Sequence, residues 1–174
     1  MIKRFTFLLL IIVNLSGCIT ANFDNSTEFK ENKKVSRVYV IVVGDKQSED
    51  CLNYYKNFLI DSLKTNNIQV DGMYECCVNN KTDLNEYMHN LLSNKDFTSD
   101  HILTAVIKEV VVGHGTSSSR RLQLNLFDTT QKTSLWSGEL FIMFSWFIND
   151  QHYRDVANKL NETTLTELRN KKII

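Results

Sequence analysis

The sequence lacks an excess of charge of either sign. Its 20 lysine and arginine residues are balanced by 20 aspartate and glutamate residues. Proteins that bind nucleic acid generally carry an excess of basic residues, because these neutralise the phosphate backbone. We therefore expect no nucleic-acid partner.

The local patterns that mark metal and catalytic sites are also missing. The four histidines form no H-x-x-x-H or H-E-x-x-H pair, so a zinc site would need residues that converge from distant positions. No G-x-S-x-G motif is present, and the glycine- and serine-rich residues 113–121 lack the lysine of a Walker phosphate loop. The sequence predicts no metal and no cofactor. It favours a non-enzymatic protein over an enzyme.

What the sequence does have is the composition of an ordinary globular domain. Apolar residues make up 43% of the chain, and aromatic residues make up 10%. A domain of roughly 150 residues buries about 70% of its unfolded surface, so it can form a core without metal ions or disulfide bonds. One folded domain is expected.

The amino-terminal residues have the pattern of a targeting signal. Lys3 and Arg4 precede an apolar run over residues 5–13. That run is too short to span a bilayer, which takes about 20 residues, and it has the length of the apolar region of a signal peptide. It is followed by Leu15-Ser16-Gly17-Cys18, which resembles the lipobox of bacterial lipoprotein precursors.

The lipobox resemblance implies that residues 1–17 are a signal peptide, removed before Cys18, and that Cys18 carries lipid. The thiol is the nucleophile that diacylglyceryl transfer requires, and two or more acyl chains, palmitate among them, give stable anchoring. The resemblance thus implies a lipoprotein of the bacterial cell envelope, facing the periplasm or the cell surface. Ile19 stands where the enterobacterial sorting rule has Asp for inner-membrane retention, which favours the outer membrane.

Residues 18–35 are predicted to be the lipidated cysteine and a flexible tether, since residues 20–34 are polar and show no apolar periodicity. Residues 36–174 are predicted to form a single α/β (α+β) domain. Its expected order is β-α-β-α-β-β-β-α, with strands over residues 37–43, 68–77, 102–112, 122–126 and 134–147 and helices beginning near Ser48, Asp83 and Tyr153. Such an order predicts one mixed sheet with the helices packed on it.

A second resemblance lies in the predicted hairpin. Leu126-Phe127-Asp128-Thr129-Thr130, followed by Ser134-Leu135-Trp136-Ser137-Gly138-Glu139, is similar to a pattern of small α/β periplasmic lipoproteins. These include lipoprotein activators of penicillin-binding proteins and relatives of the curli-secretion lipoprotein. The resemblance implies a domain that binds a protein partner in an envelope assembly.

The last predicted strand carries apolar side chains on both faces. One interpretation is that both faces are buried within the domain, with the last helix covering one of them. The other is that some of these side chains contact a partner or the membrane. For the second case the predicted contact residues are Phe141, Met143, Trp146 and Phe147, with Arg120 and Arg121 of the preceding hairpin.

The function predicted from these features is that of a membrane-tethered binding or assembly module, with an envelope protein as its partner. Two alternatives stay open. One is an envelope hydrolase whose site converges from distant residues, and the other is a purely structural lipoprotein.

Three cysteines remain after Cys18, and the exported compartment permits disulfides. If the first helix crosses between two parallel strands, Cys51 lies at the end of the sheet where Cys76 and Cys77 also lie. A bridge from Cys51 to Cys76, or to Cys77, is therefore predicted. The alternative is three reduced thiols.

Overall fold

The computed structural model describes residues 19–31, 34–76, 86–87, 90–91, 97–112, 117–145 and 149–174. The described chain has six strands and two long helices. The strands are β1 (Thr20–Ser26), β2 (Arg37–Gly44), β3 (Gln69–Cys76), β4 (His101–Val112), β5 (Ser117–Asp128) and β6 (Thr133–Ser145); the helices are α1 (Glu49–Thr65) and α2 (Asp150–Asn170).

All six strands form one mixed sheet in the order β1-β6-β5-β4-β2-β3. β2 is parallel to both β3 and β4, whereas β5 is antiparallel to β4 and β6, and β1 is antiparallel to β6. The predicted fold class, a single mixed sheet with helices packed on it, is confirmed.

Both long helices pack on one face of the sheet because each carries an apolar stripe at helical spacing. In α1 the buried residues are Leu52, Tyr55, Leu59 and Leu63. They meet alternate strand residues such as Leu103, Leu124 and Leu140 in the larger apolar core. The two helices also contact each other, where the buried Tyr55 hydroxyl is 2.9 Å from the Thr164 hydroxyl. This face of the sheet is called the helix-covered face below.

A smaller core lies on the second face, over β2 and β4. It is built from the buried residues Ile41, Val43, Leu91, Ile102 and Phe127. Of the helix predicted to begin near Asp83, only Glu86, Tyr87, Asn90 and Leu91 are described, and these are helical. Leu91 and the partly buried Tyr87 pack against this core, so these two residues cover part of the second face over β2 and β4.

The structure corrects the prediction of a flexible tether, because Thr20–Ser26 is strand β1 at the edge of the sheet. Ala21 and Phe23 point toward the helix-covered face, where Ala21 is buried and Phe23 lies 6.1 Å from Trp136 between ring centroids. The Ser26 hydroxyl donates to Glu167 of α2 at 2.5 Å. Two alternating apolar side chains, the backbone of β6 and the contact with α2 hold a segment that is otherwise polar.

Gly138 of β6 provides a test of how β1 is held. A Cβ placed on Gly138 would lie 2.7 Å from Cε1 of Phe23 and 2.9 Å from Cζ2 of Trp136. We expect Gly138→Ala to push Phe23 off the sheet and to lower the free energy of unfolding in urea by about 1–3 kcal/mol, as overpacking does. Glu139→Ala, a change to the neighbouring half-buried residue, serves as the control and should cost less than about 0.5 kcal/mol. Equal effects of the two substitutions would contradict the packing described.

Candidate functional site

The second face of the sheet is less protected over β6 and the neighbouring strands than over β2 and β4. Phe141 and Met143 of β6 point to this side because Leu140 and Ile142, which alternate with them, are buried in the larger core. Phe141 is half-buried, and Met143 is 41% exposed. Phe141 lies between its register partners Asn22 of β1 and Arg121 of β5. We call Asn22, Arg121, Phe141 and Met143 the open face.

Charged side chains surround the apolar part of the open face. The side chain of Arg121 is 46% exposed and lies 4.0 Å from the Asp24 carboxylate, and Lys108 lies 3.4 Å from Glu139. Exposed pairs of this kind contribute roughly 0–1 kcal/mol, so a binding partner can replace them at little cost. The arrangement is an apolar centre with a polar rim.

The structure separates the two arginines that were predicted to act together. Arg121 lies on the open face, but Arg120 points to the helix-covered face, where its side chain is 13% exposed and pairs with Asp45 at 3.0 Å. Burial raises the pKa of the Asp45 carboxyl, but hydrogen bonds from Ser48 and the Arg120 charge outweigh it and hold the pKa below its ordinary value. Arg120 therefore lies apart from Arg121, since adjacent strand residues face opposite sides, and its role as a partner contact stays a prediction.

Other predicted residues lie outside the described part of the chain. These are Cys18, Cys77, Trp146 and Phe147. Among the described contact residues, the structure brings together Arg121, Phe141 and Met143.

A small cavity of about 40 Å³ lies on the helix-covered face, between the first turns of α1 and α2. Its walls are mainly apolar, and they include Cys51, Leu52, Leu122, Ile142, Val156 and Leu160. Desolvation by burial raises the pKa of the Cys51 thiol to about 12. The thiol is therefore protonated at neutral pH and is a poor nucleophile.

The predicted bridge from Cys51 is not formed. Cys51 is a free thiol, while Cys76 is disulfide-bonded. The register places Cys76 beside Gly44, and it is Leu52 that lies over Gly44, with its Cδ1 2.3 Å from the position of a Cβ there. Cys51 instead lines a cavity with Ile107 of β4, Leu122 of β5 and Ile142 of β6, and no residue of β3 belongs to that lining.

At the opposite end of the sheet, three potential metal ligands converge. Glu31, His101 and Asp128 each place one ligand atom within 4.8 Å of the others, and all three residues are largely shielded from solvent. His101 and Asp128 face each other as the first residue of β4 and the last of β5. Glu31 reaches them from residues 27–31, which cross this end of the sheet and are held by a hydrogen bond from Lys30 N to Leu135 O. Residues 34–36 are held by a hydrogen bond from Val35 N to Ile173 O.

Sequence reasoning missed this cluster because its members are far apart in the chain. In the sequence, His101 is one of four histidines without a local partner, and Glu31 lies in the predicted tether. Asp128 did have a signal, since it ends a strand within the hairpin pattern. Its place beside His101 follows only from the register of β4 and β5.

In the described residues, no helix is both long enough and apolar enough to cross a membrane. No protein-family model matches the chain, and no curated protein matches it in sequence.

Several solved structures are similar in shape to the chain. A PelC dodecamer from Paraburkholderia phytofirmans gives a TM-score of 0.48 at 10% identity over 84% of this chain and 94% of that one. The lipoprotein GNA1162 from Neisseria meningitidis gives 0.43 at 15% identity over 78% and 99%. A Xanthomonas campestris protein of family model DUF330 gives 0.44 at 7% identity over 83% and 89%.

The state of Cys51 can be tested by alkylation of the native protein. A thiol with a pKa of about 12 should react with iodoacetamide at pH 8 on the order of a thousandfold more slowly than a thiol of ordinary pKa near 9, because its thiolate fraction is that much smaller. After unfolding without a reductant, the peptide that contains Cys51 should become fully alkylated. Rapid native alkylation, or no alkylation after unfolding, would contradict the buried free thiol.

Proposed function

We propose that the protein is a lipid-anchored lipoprotein of the bacterial envelope, that it acts as a non-enzymatic binding module, and that its open face is the surface that receives a protein partner. The observation that carries this proposal is the start of β1 at Thr20, two residues after the cysteine of the lipobox-like motif.

A lipid on Cys18 would hold one end of the sheet against the membrane. Two residues extend at most about 7 Å, so little free chain separates the lipidated residue from β1. Thr20 pairs with Met143 of β6. The membrane-proximal end of the domain is then the end that carries Met143, with Phe141 one step further from the bilayer on the same face.

The chemistry of the open face suits a protein surface as its partner. Partner-binding patches typically have an apolar centre of aromatic and methionine side chains, an arginine, and a rim of solvated charges. Phe141 and Met143 supply the centre, Arg121 lies beside them, and Asp24 and Glu139 belong to the rim. An exposed methionine also adapts its shape to different partners.

The cavity beside Cys51 gives less support to the hydrolase alternative. Its thiol is protonated, and the Arg120 guanidinium at its edge is already paired with Asp45. Both groups contribute to packing between the helices and the sheet, which accounts for them without a reaction.

The binding surface can be tested by photo-crosslinking in living cells. A photoreactive amino acid at Met143 is expected to give a discrete adduct with an envelope protein, because this position is exposed on the open face. The matched control is Asn158, which is exposed on α2 across the sheet. Arg121→Glu, which places a like charge near the Asp24 carboxylate and reverses the charge of the patch, should abolish the adduct. Equal adducts from both positions, or none from Met143, would contradict the proposal.

The anchor has its own test. Cys18→Ala removes the only thiol that the lipobox-like motif offers for acylation, so incorporation of a fatty-acid analogue should be lost and the chain should no longer be processed as a lipoprotein. Cys51→Ala is the control and should retain the label. Undiminished labelling of the Cys18→Ala protein would rule out this anchor.

A further inference from the structure

The buried imidazole of His101 has unsatisfied hydrogen-bonding groups within the described part of the chain. Both of its ring nitrogens are buried and have no hydrogen-bond partner among the described residues. The nearest charged group is the Glu31 carboxylate, 3.4 Å from Nε2, and that contact lacks the geometry of a hydrogen bond. A buried polar group without a partner costs roughly 1–3 kcal/mol, so an imidazole in this position needs an explanation.

The groups around His101 have the donor set of a metal site. Asp128 accepts hydrogen bonds from the backbone N–H groups of Thr130 and Gln131, both at Oδ1, at 2.7 and 2.6 Å. These bonds fix the carboxylate through Oδ1, and neither of them uses Oδ2. An imidazole nitrogen and two carboxylate oxygens are ligands that zinc and other divalent first-row metals accept.

Among the residues that the structure describes, no lysine or arginine pairs with Glu31 or Asp128. Lys30 and Lys34 lie near Glu31 in the sequence, but their ammonium groups donate to the backbone oxygens of Ser134 and Ile174. Two carboxylates held close together without a cation repel each other, and a divalent ion would balance their combined charge.

We propose that Glu31, His101 and Asp128 form a binding site for a divalent transition-metal ion, with zinc as the representative ion. The ion would join the segment of residues 27–31 to the ends of β4 and β5. Its role would be to hold that crossing segment on the sheet, with water completing the coordination. The site is independent of the proposed lipid anchor and of the open face.

The site lies at the end of the domain that is remote from β1's first residue. Ser119 pairs with Met143, and Asp128 lies nine residues further along β5. At about 3.3 Å per residue the separation is roughly 30 Å. A failure of metal binding would therefore leave the proposed anchor and partner surface untouched, and the two proposals are tested separately.

The test is zinc titration of the full-length protein, purified in detergent and stripped with a chelator, followed by calorimetry. We expect one equivalent of zinc to bind and to raise the midpoint of thermal unfolding. Loss of a ligand should weaken binding by at least about 100-fold, the upper range for changes to the groups that merely support a ligand. His101→Gln and Glu31→Gln should both show this loss.

Glu28→Gln is the matched control, since Glu28 lies three positions before Glu31 and pairs with Lys171 rather than with the cluster. It should bind zinc like the unaltered protein. Asp128→Asn adds a further variant that keeps an oxygen for the turn but replaces the second oxygen with an amide nitrogen, a poor metal ligand. Circular dichroism in chelator should be the same for all variants; if His101→Gln does not fold, the comparison of Glu31→Gln with Glu28→Gln decides.

Cobalt substitution distinguishes this site from the cysteines. Cobalt bound by one nitrogen and oxygen ligands should show d–d absorption without a thiolate charge-transfer band. No stoichiometric zinc binding, zinc binding that His101→Gln and Glu31→Gln leave unchanged, or a thiolate band would each overturn the proposal.

Discussion

The backbone pairing between β1 and β6 is the constraint on which the arrangement of this domain depends. It brings Thr20 beside Met143 and Phe23 beside Leu140, so the first described strand becomes the edge of the sheet. Phe23 packs near Trp136, and Ser26 bonds to Glu167 of α2, so the strand contacts sheet and helix alike. An anchor placed just before this strand would fix the orientation of the whole sheet relative to the membrane, which a flexible tether would not do.

The two ends of the sheet that this pairing orients carry different kinds of side chain. The end near Thr20 carries Met143 of the open face, and the first turns of α1 and α2 meet over the same end around the cavity beside Cys51. The far end holds Glu31, His101 and Asp128, and residues 27–31 cross the sheet there. The proposed partner surface and the proposed metal site thus lie at opposite ends of one sheet.

The sequence predicted the elements whose apolar periodicity is strong. It failed for residues whose position depends on contacts with distant parts of the chain. The apolar stripe from Leu52 to Leu63 predicted α1, because helical spacing leaves one face that must be buried. β1 was missed because only Ala21 and Phe23 alternate in a polar segment. The sequence did not place Arg120 on the helix-covered face or leave Cys51 unbridged, because a side-chain direction depends on register and helix rotation, which no local pattern specifies. The Glu31–His101–Asp128 cluster exists only once β4 and β5 are aligned.

The central claim is that β1 holds one end of the sheet against the bilayer. It is tested by measuring how close individual residues lie to the lipid headgroups. A fluorescent amino acid would be placed at Met143 or at Thr130, which is exposed in the turn at the far end, in lipidated protein on vesicles with spin-labelled lipid headgroups. The fluorescence of a label at Met143 should be strongly quenched and that of a label at Thr130 little quenched, because roughly 30 Å of strand separates the two ends. Equal quenching at both positions, or stronger quenching at Thr130, would contradict it.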